Sequence, residues 1–231
     1  MPDKPIALVF NGVWSQYAVA TAPKYRDYLE LLYVHDLDRT SLERFRGLIV
    51  PFQSDHSALA RHADALYAFL AVGKKIAVFG DSAYWIDAEW ADRPVNNYWW
   101  REDPLQPPIA HTHYNHPLFA GLTARQACWH HHGVYSRIPP HAEVLQHTAN
   151  GEVIAWQTTA YGGVLLAATS DPIVEHGVQQ IGHLDHFVDQ LVFWLCGVRP
   201  AAGKMTVDPS AYGKAFQRLP TSDAGASAAR A

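Results

Sequence analysis

The chain of 231 residues is poor in cysteine, poor in charge and without long apolar runs. Cys128 and Cys196 are its two cysteines, too few for the disulfide framework of a small secreted domain, and a reducing, cytoplasmic compartment is expected. Charged residues make up 17% and the formal net charge is −4. That balance argues against a surface built to neutralise phosphates, so no nucleic-acid partner is expected. No apolar run approaches the roughly 18 residues of a spanning helix. The opening Met1-Pro2-Asp3-Lys4-Pro5 leads only into the short apolar stretch Ile6 to Phe10, so neither a membrane partner nor a signal peptide is expected. Internal repeats are missing as well. What is present is 48% hydrophobic and 12% aromatic residue, the profile of one folded domain with a real core. Histidine (14) and tryptophan (8) are abundant for this length.

Continuous apolar runs at Ile6 to Phe10, Gly47 to Phe52 and Lys75 to Gly80 read as strands covered on both faces, the pattern of a parallel sheet. A further strand is expected near Glu30 to His35. Ser15 is expected to cap a short helix before Pro23, and Thr40-Ser41-Leu42-Glu43 to open another. Leu59, Ala63, Leu66 and Leu70 recur at helical spacing, with Ser54, Asp55 or Ser57 as the cap and Gly73 as the stop. Strand and helix alternating at this rhythm imply βαβ units and a doubly wound sheet. After Gly80 the character changes. Trp85, Trp90, Trp99 and Trp100 crowd one segment, and Pro104, Pro107 and Pro108 follow. Strand candidates then succeed one another at Cys128 to Tyr135, Ala142 to His147, Val153 to Thr158 and Val164 to Thr169. Asn150-Gly151 between two of them is a hairpin signal. Leu184, Phe187, Val188, Leu191, Val192 and Leu195 mark a last helix, stopped by Gly197. The fold class expected is α/β: flavodoxin-like, doubly wound, a mainly parallel sheet with late antiparallel strands and helices on both faces. The domain is expected to span 1–200. A tail over 201–231 is read as partly disordered or docking on a partner, with Tyr212 and Phe216 as its apolar anchors.

The order of these pieces resembles the class I glutamine amidotransferase-like superfamily. Gly47-Leu48-Ile49-Val50-Pro51 is similar to the family strand that ends in a Pro-Gly-Gly turn. Ile76 to Tyr84 is similar to the strand entering the nucleophile elbow. Trp129-His130-His131-His132-Gly133 with Ile138-Pro139 is similar to the family's Trp-x-Ser-His-Gly-Asp and Leu-Pro stretch. Tyr161-Gly162-Gly163-Val164 and the helix ending Leu195-Cys196-Gly197 are similar to its closing strand and helix. His116-Pro117-Leu118-Phe119-Ala120-Gly121-Leu122 is also similar to trehalose-utilisation-like members. The resemblance implies a flavodoxin-like fold and, in intact members, glutamine hydrolysis by a Cys–His–Glu triad. This chain departs from that pattern at all three elements. Ser82 stands where the cysteine is expected, and Tyr84 where the second elbow glycine is. Phe52-Gln53 replaces Gly-Gly after Pro51. Leu166 to Thr169 has neither His nor Glu. A serine hydroxyl is a weak nucleophile without an activating base, so glutaminase activity is not expected.

Three functions follow. The first is a binding or assembly module whose ancestral pocket, with Asn11, Gly12, Phe52, Gln53, Asp81, Ser82, Tyr84 and His132 as candidate ligand-binding residues, takes a small molecule or a protein partner. The second is a serine hydrolase with Ser82 as nucleophile, His132 or His176 as base and Asp171 or Glu175 as orienting acid. Against it, Ser82 is also what a retired elbow would carry, and Asp171-Pro172 also starts an ordinary turn. The third is a metal-binding protein using His130 and His132, on one face of a strand, with His111, His113 and His116 as further ligands; against it, His132 is also a wall residue of the pocket and the others are interface or surface residues. The Trp-rich segment points to a pocket or to a homo-oligomer contact. The first reading is adopted, with no cofactor and no metal.

Overall fold

The computed structural model describes residues 4–81, 84–102 and 106–207. Its parallel half contains β1 (Ile6–Phe10), β2 (Leu29–Tyr33), β3 (Gly47–Val50), β4 (Lys75–Phe79) and β10 (Val164–Ala168). They lie side by side in the order β2-β1-β3-β4-β10, all pairs parallel. This is the flavodoxin-type order, in which ligands sit outside the carboxyl ends of the strands. The other half is antiparallel: β5 (Glu89–Ala91), β6 (His111–Thr112), β7 (Val134–Arg137), β8 (Glu143–His147) and β9 (Val153–Thr158). β9 joins the halves by pairing antiparallel with β10. The expected antiparallel strands are therefore present, as an insertion between β4 and β10.

Alternation in the strands sends neighbouring residues to opposite faces, and both faces are covered. Ile6 and Leu8 of β1 pack with Val19 of α1 (Trp14–Thr21) and Val188 and Leu191 of α7 (Leu184–Cys196). Ala7 and Val9 pack with Leu42 of α2 (Arg39–Glu43), Leu59 of α3 (His56–Arg61) and Leu66 and Leu70 of α4 (Ala63–Ala71). Each such fully buried aliphatic side chain contributes about 1.5–3 kcal/mol over an exposed one. Asp38 caps α2 and Asp55 caps α3 through their side chains. The single helix expected across Leu59 to Leu70 is two, because His62 between them leaves helical geometry (φ −105, ψ 13). Asn150-Gly151 does turn β8 into β9, with the Thr148 amide donating to the Glu152 carbonyl at 2.9 Å.

Two expectations are corrected. Residues 128–132 are not part of a strand. They run as an irregular segment with one bridge, His131 to Ser170, and β7 begins only at Val134. A short helix absent from the sequence reading, α6 (Val174–Gln179), follows β10 and packs on α1; six residues interrupted by Gly177 leave too little periodicity to detect. Beyond residue 200 the chain stays in contact with the domain: Met205 is buried and donates its amide to Asp185 Oδ1 at 2.8 Å, and Val207 packs against the core. Tyr212 and Phe216 lie outside the described residues. Among those described, no helix is long and apolar enough to cross a membrane.

Candidate functional site

The turns after β3, β4 and β10 converge at the carboxyl edge. After β3, Gln53 adopts a left-handed conformation (φ 63), and its carbonyl accepts from Asn11 Nδ2 at 3.0 Å. After β4, Gly80 has φ +87, and a Cβ there would lie 2.3 Å from Phe52 Cδ2. Glycine is thus needed for its backbone and for the room it leaves to Phe52. Phe52 also stacks face to face on His132, with centroids 4.1 Å apart and planes 8° apart. An aromatic ring therefore occupies the turn after β3. Asp81 lines the cleft beside it. Ser82 and the neighbouring Ala83 lie outside the described residues.

The 129–133 segment supplies the imidazoles. His132 Nε2 lies 3.7 Å from Asp171 Oδ2, and His130 Nδ1 lies 3.9 Å from Glu175 Oε1. Asp171 is 1% exposed. Its Oδ1 accepts from the Val174 amide at 3.0 Å, tying the carboxylate to the first turn of α6. The Asp171 amide donates to the His130 carbonyl at 3.1 Å, and the His132 amide to the Thr169 carbonyl at 2.9 Å. Backbone bonds thus hold both partners in place. Burial and the neighbouring His132 lower the His130 pKa. Burial and the nearby Asp171 carboxylate raise that of Glu175. His131 points away into the core, where Nδ1 meets Thr169 Oγ1 at 3.0 Å and Nε2 meets Cys128 Sγ at 3.6 Å. Burial brings its pKa down to about 3 and pushes the Cys128 thiol up. Both are neutral core groups.

The opposite wall comes from the Trp-rich segment, which divides its labour. Trp85 and Trp99 are buried, Trp99 lying edge-on to Trp129 at 6.3 Å. Trp90, Tyr98 and Trp100 line the cleft. Asn97 clamps the two walls together. Its Oδ1 accepts from the His131 amide at 2.8 Å, and its Nδ2 donates to the His131 carbonyl at 3.1 Å. The space enclosed is about 780 Å3, within the roughly 300–1,000 Å3 typical of small-molecule sites.

The remaining candidates fall elsewhere. His176 is fully buried, with Nε2 3.4 Å from Asp185 Oδ1, in a network with Lys24 that joins α6 and α7. It does not line the cleft. His111 stacks on His147 at 5.3 Å, and His113 Nδ1 meets Glu143 Oε1 at 2.7 Å, so neither joins His130 and His132. Among the described residues, no group of three or more His, Cys, Asp or Glu is arranged to hold a metal. Asn11, Gly12, Gln53 and Tyr84 do not line the cleft; Tyr84 is exposed and stacks on His56. Sequence reasoning did not name Asn97 or Asp92, for which no local signal exists. It flagged Trp90 and Trp100 only through the density of tryptophan.

No family model matches the chain, and no curated protein sequence matches it. Solved structures do. A cytoplasmic protein from Salmonella typhimurium superposes with a TM-score of 0.54 at 11% identity, covering 84% of this chain and 99% of its own. A second cytoplasmic protein, from Salmonella typhimurium LT2, gives 0.51 at 10% identity, covering 84% and 100%. A candidate GMP synthase component from Thermoplasma acidophilum gives 0.53 at 12% identity, covering 85% and 96%. At these identities the likeness shows the fold alone. The fold they share with this chain is α/β and flavodoxin-like, as expected from the sequence.

Proposed function

We propose that this chain is a small-molecule-binding domain on a glutamine amidotransferase-like fold, and that it does not hydrolyse glutamine. One observation carries the reading. An aromatic-walled cleft of about 780 Å3 stands open at the carboxyl edge, while both cysteines of the chain, Cys128 and Cys196, are buried in the core. The cleft has the shape of a binding site and no thiol to act as nucleophile. Phe52 in the former oxyanion turn supports the same reading, because its ring takes the space beside Gly80 that a tetrahedral intermediate would need. The test has two arms. Incubation with L-glutamine should release no ammonia above the buffer blank. A ligand-observed NMR screen of neutral, anionic and cationic small molecules should give binders that are lost in Trp100→Ala. Catalytic ammonia release, or a screen without any Trp100-dependent binder, overturns the proposal.

A second reading is favoured by the pairing of His132 with the buried Asp171 at 3.7 Å. With Nε2 turned to the carboxylate, Nδ1 is the nitrogen left for the cleft, the orientation a general base needs. In this reading Ser82 is the nucleophile of a hydrolase. A fluorophosphonate probe that labels Ser82 in the wild type but not in His132→Gln supports it; unlabelled Ser82 in folded protein removes it.

A further inference from the structure

We infer that the turn from β1 into α1, residues 11–16, is an anion site for a phosphate group that keeps a proton, free or on a monoester. It stands apart from the cleft, whose walls include none of these residues. The helix start is the first observation. α1 has no side-chain cap: its N-cap residue is Val13, and Ser15, expected from the sequence to cap it, lies inside the first turn. That turn holds no acidic residue either. The amides of Gly12, Val13, Ser15 and Gln16 have no acceptor among the described residues. Free amides at the positive end of a helix, on the carboxyl edge of a parallel sheet, favour an oxyanion. α6, which packs on α1, has one acid, Glu175, and it stands against His130 Nδ1 at 3.9 Å.

Buried side chains are the second observation, and it does not depend on the helix. Gln16 and Ser15 are 0% and 1% exposed, yet Gln16 Nε2 and Ser15 Oγ have no hydrogen-bond partner. Gln16 Oε1 accepts from the Asn11 amide at 3.2 Å. That bond folds the side chain back onto the turn and makes Nε2 a donor held there. Asn11 is oriented in the same way. Its Nδ2 donates to the Gln53 carbonyl at 3.0 Å, which leaves Oδ1, also buried and unpartnered, as an acceptor. Buried polar groups are rarely left unpaired, and these three belong to one turn. Several donors with a single acceptor match a tetrahedral oxyanion that carries one hydroxyl. Near neutral pH phosphate keeps such a proton. Sulfate keeps none and would set a bare oxygen against Asn11 Oδ1.

The experiment titrates inorganic phosphate, glycerol 3-phosphate and sulfate into the full chain by calorimetry, in phosphate-free buffer at matched ionic strength. The better phosphate is expected to bind about tenfold tighter than sulfate or more; which of the two it is distinguishes the free ion from a monoester as the source. Gln16→Glu keeps an oxygen for the Asn11 amide and sets a negative charge where Nε2 donates, so phosphate binding should be lost. Val13→Asp gives α1 a cap of its own. It should raise Tm in phosphate-free buffer and weaken phosphate at least about tenfold, because its carboxylate takes the amides the anion needs. Melting curves verify folding, and Val13→Asp decides alone if Gln16→Glu does not fold. No phosphate binding, sulfate binding as tight as phosphate, or phosphate binding indifferent to Val13→Asp each overturns the inference.

Discussion

Gly177→Ala pits two effects of known size against each other in α6. A Cβ at Gly177 would lie 2.3 Å from the Ser15 carbonyl oxygen and 2.8 Å from the Ser15 C and Cα atoms, where ordinary contact begins at 3.4 Å. These are backbone atoms of α1 and cannot swing aside as a side chain would. The two helices must therefore part by about 1 Å in a region packed to interior density. Helix propensity works the other way and favours Ala by about 0.8–1 kcal/mol. Overpacking costs about 1–3 kcal/mol and outweighs it, for a net loss of up to about 2 kcal/mol. In a chain of this size each kcal/mol moves Tm by roughly 2–4 °C, so Tm should fall by up to roughly 8 °C. Thermal denaturation followed by circular dichroism measures it. Because α6 follows directly on Asp171 and carries Glu175, ligand binding should weaken as well. A variant melting above the wild type would show that propensity prevails and that α1 and α6 are not in the close contact described.

Acid should destabilise the protein well above the carboxylate range. Burial lowers the pKa of His131 to about 3 and of His183 to about 4, and it also lowers those of His56, His116, His130 and His176. In the unfolded chain these groups titrate near about 6.5. Below that pH the unfolded state binds more protons, so stability is fully present above about pH 6.5 and is lost as pH falls toward the folded values. Glu175 and Asp189 have raised pKa values and oppose this, but they are outnumbered. A Tm at pH 5 equal to or above that at pH 7 would contradict the burial of the histidines. Asp171→Ala should cost about 1–3 kcal/mol, because it leaves the Val174 amide without its acceptor. Asp171→Asn retains an acceptor at Oδ1 and should stay near the wild-type Tm. Equal melting of the two variants would refute the role given to that hydrogen bond.

Much of the parallel half was legible because its signals are local. Ile6 to Phe10 is a continuous apolar run because helices cover both faces of β1. Asp55 and Gly197 bound their helices by chemistry that requires no distant partner. The site was legible only in part. His130 and His132 were singled out for sharing a face of a strand. They do share a side, although the segment is not a strand and owes its course to Asn97 and to the backbone of Thr169 and Asp171. His176 attracted notice by lying close in sequence to Asp171, but Asp171 stands against His132 while His176, in α6, is buried on Asp185.

Composition and periodicity by themselves determined an α/β domain with a parallel sheet and its hairpin at Asn150-Gly151, because each depends on residue identity or on spacing along a few residues. Tertiary structure alone decided that β10 pairs parallel with β4 beyond an antiparallel insertion, since a strand's own pattern does not name its neighbour. It alone decided that Phe52 rests on Gly80 and His132, that Arg93 is drawn off to Glu152, and that the buried Asp171 carboxylate stands behind His132. Charge in a cleft is a sum over groups far apart in the chain, and only folding brings the terms of that sum together.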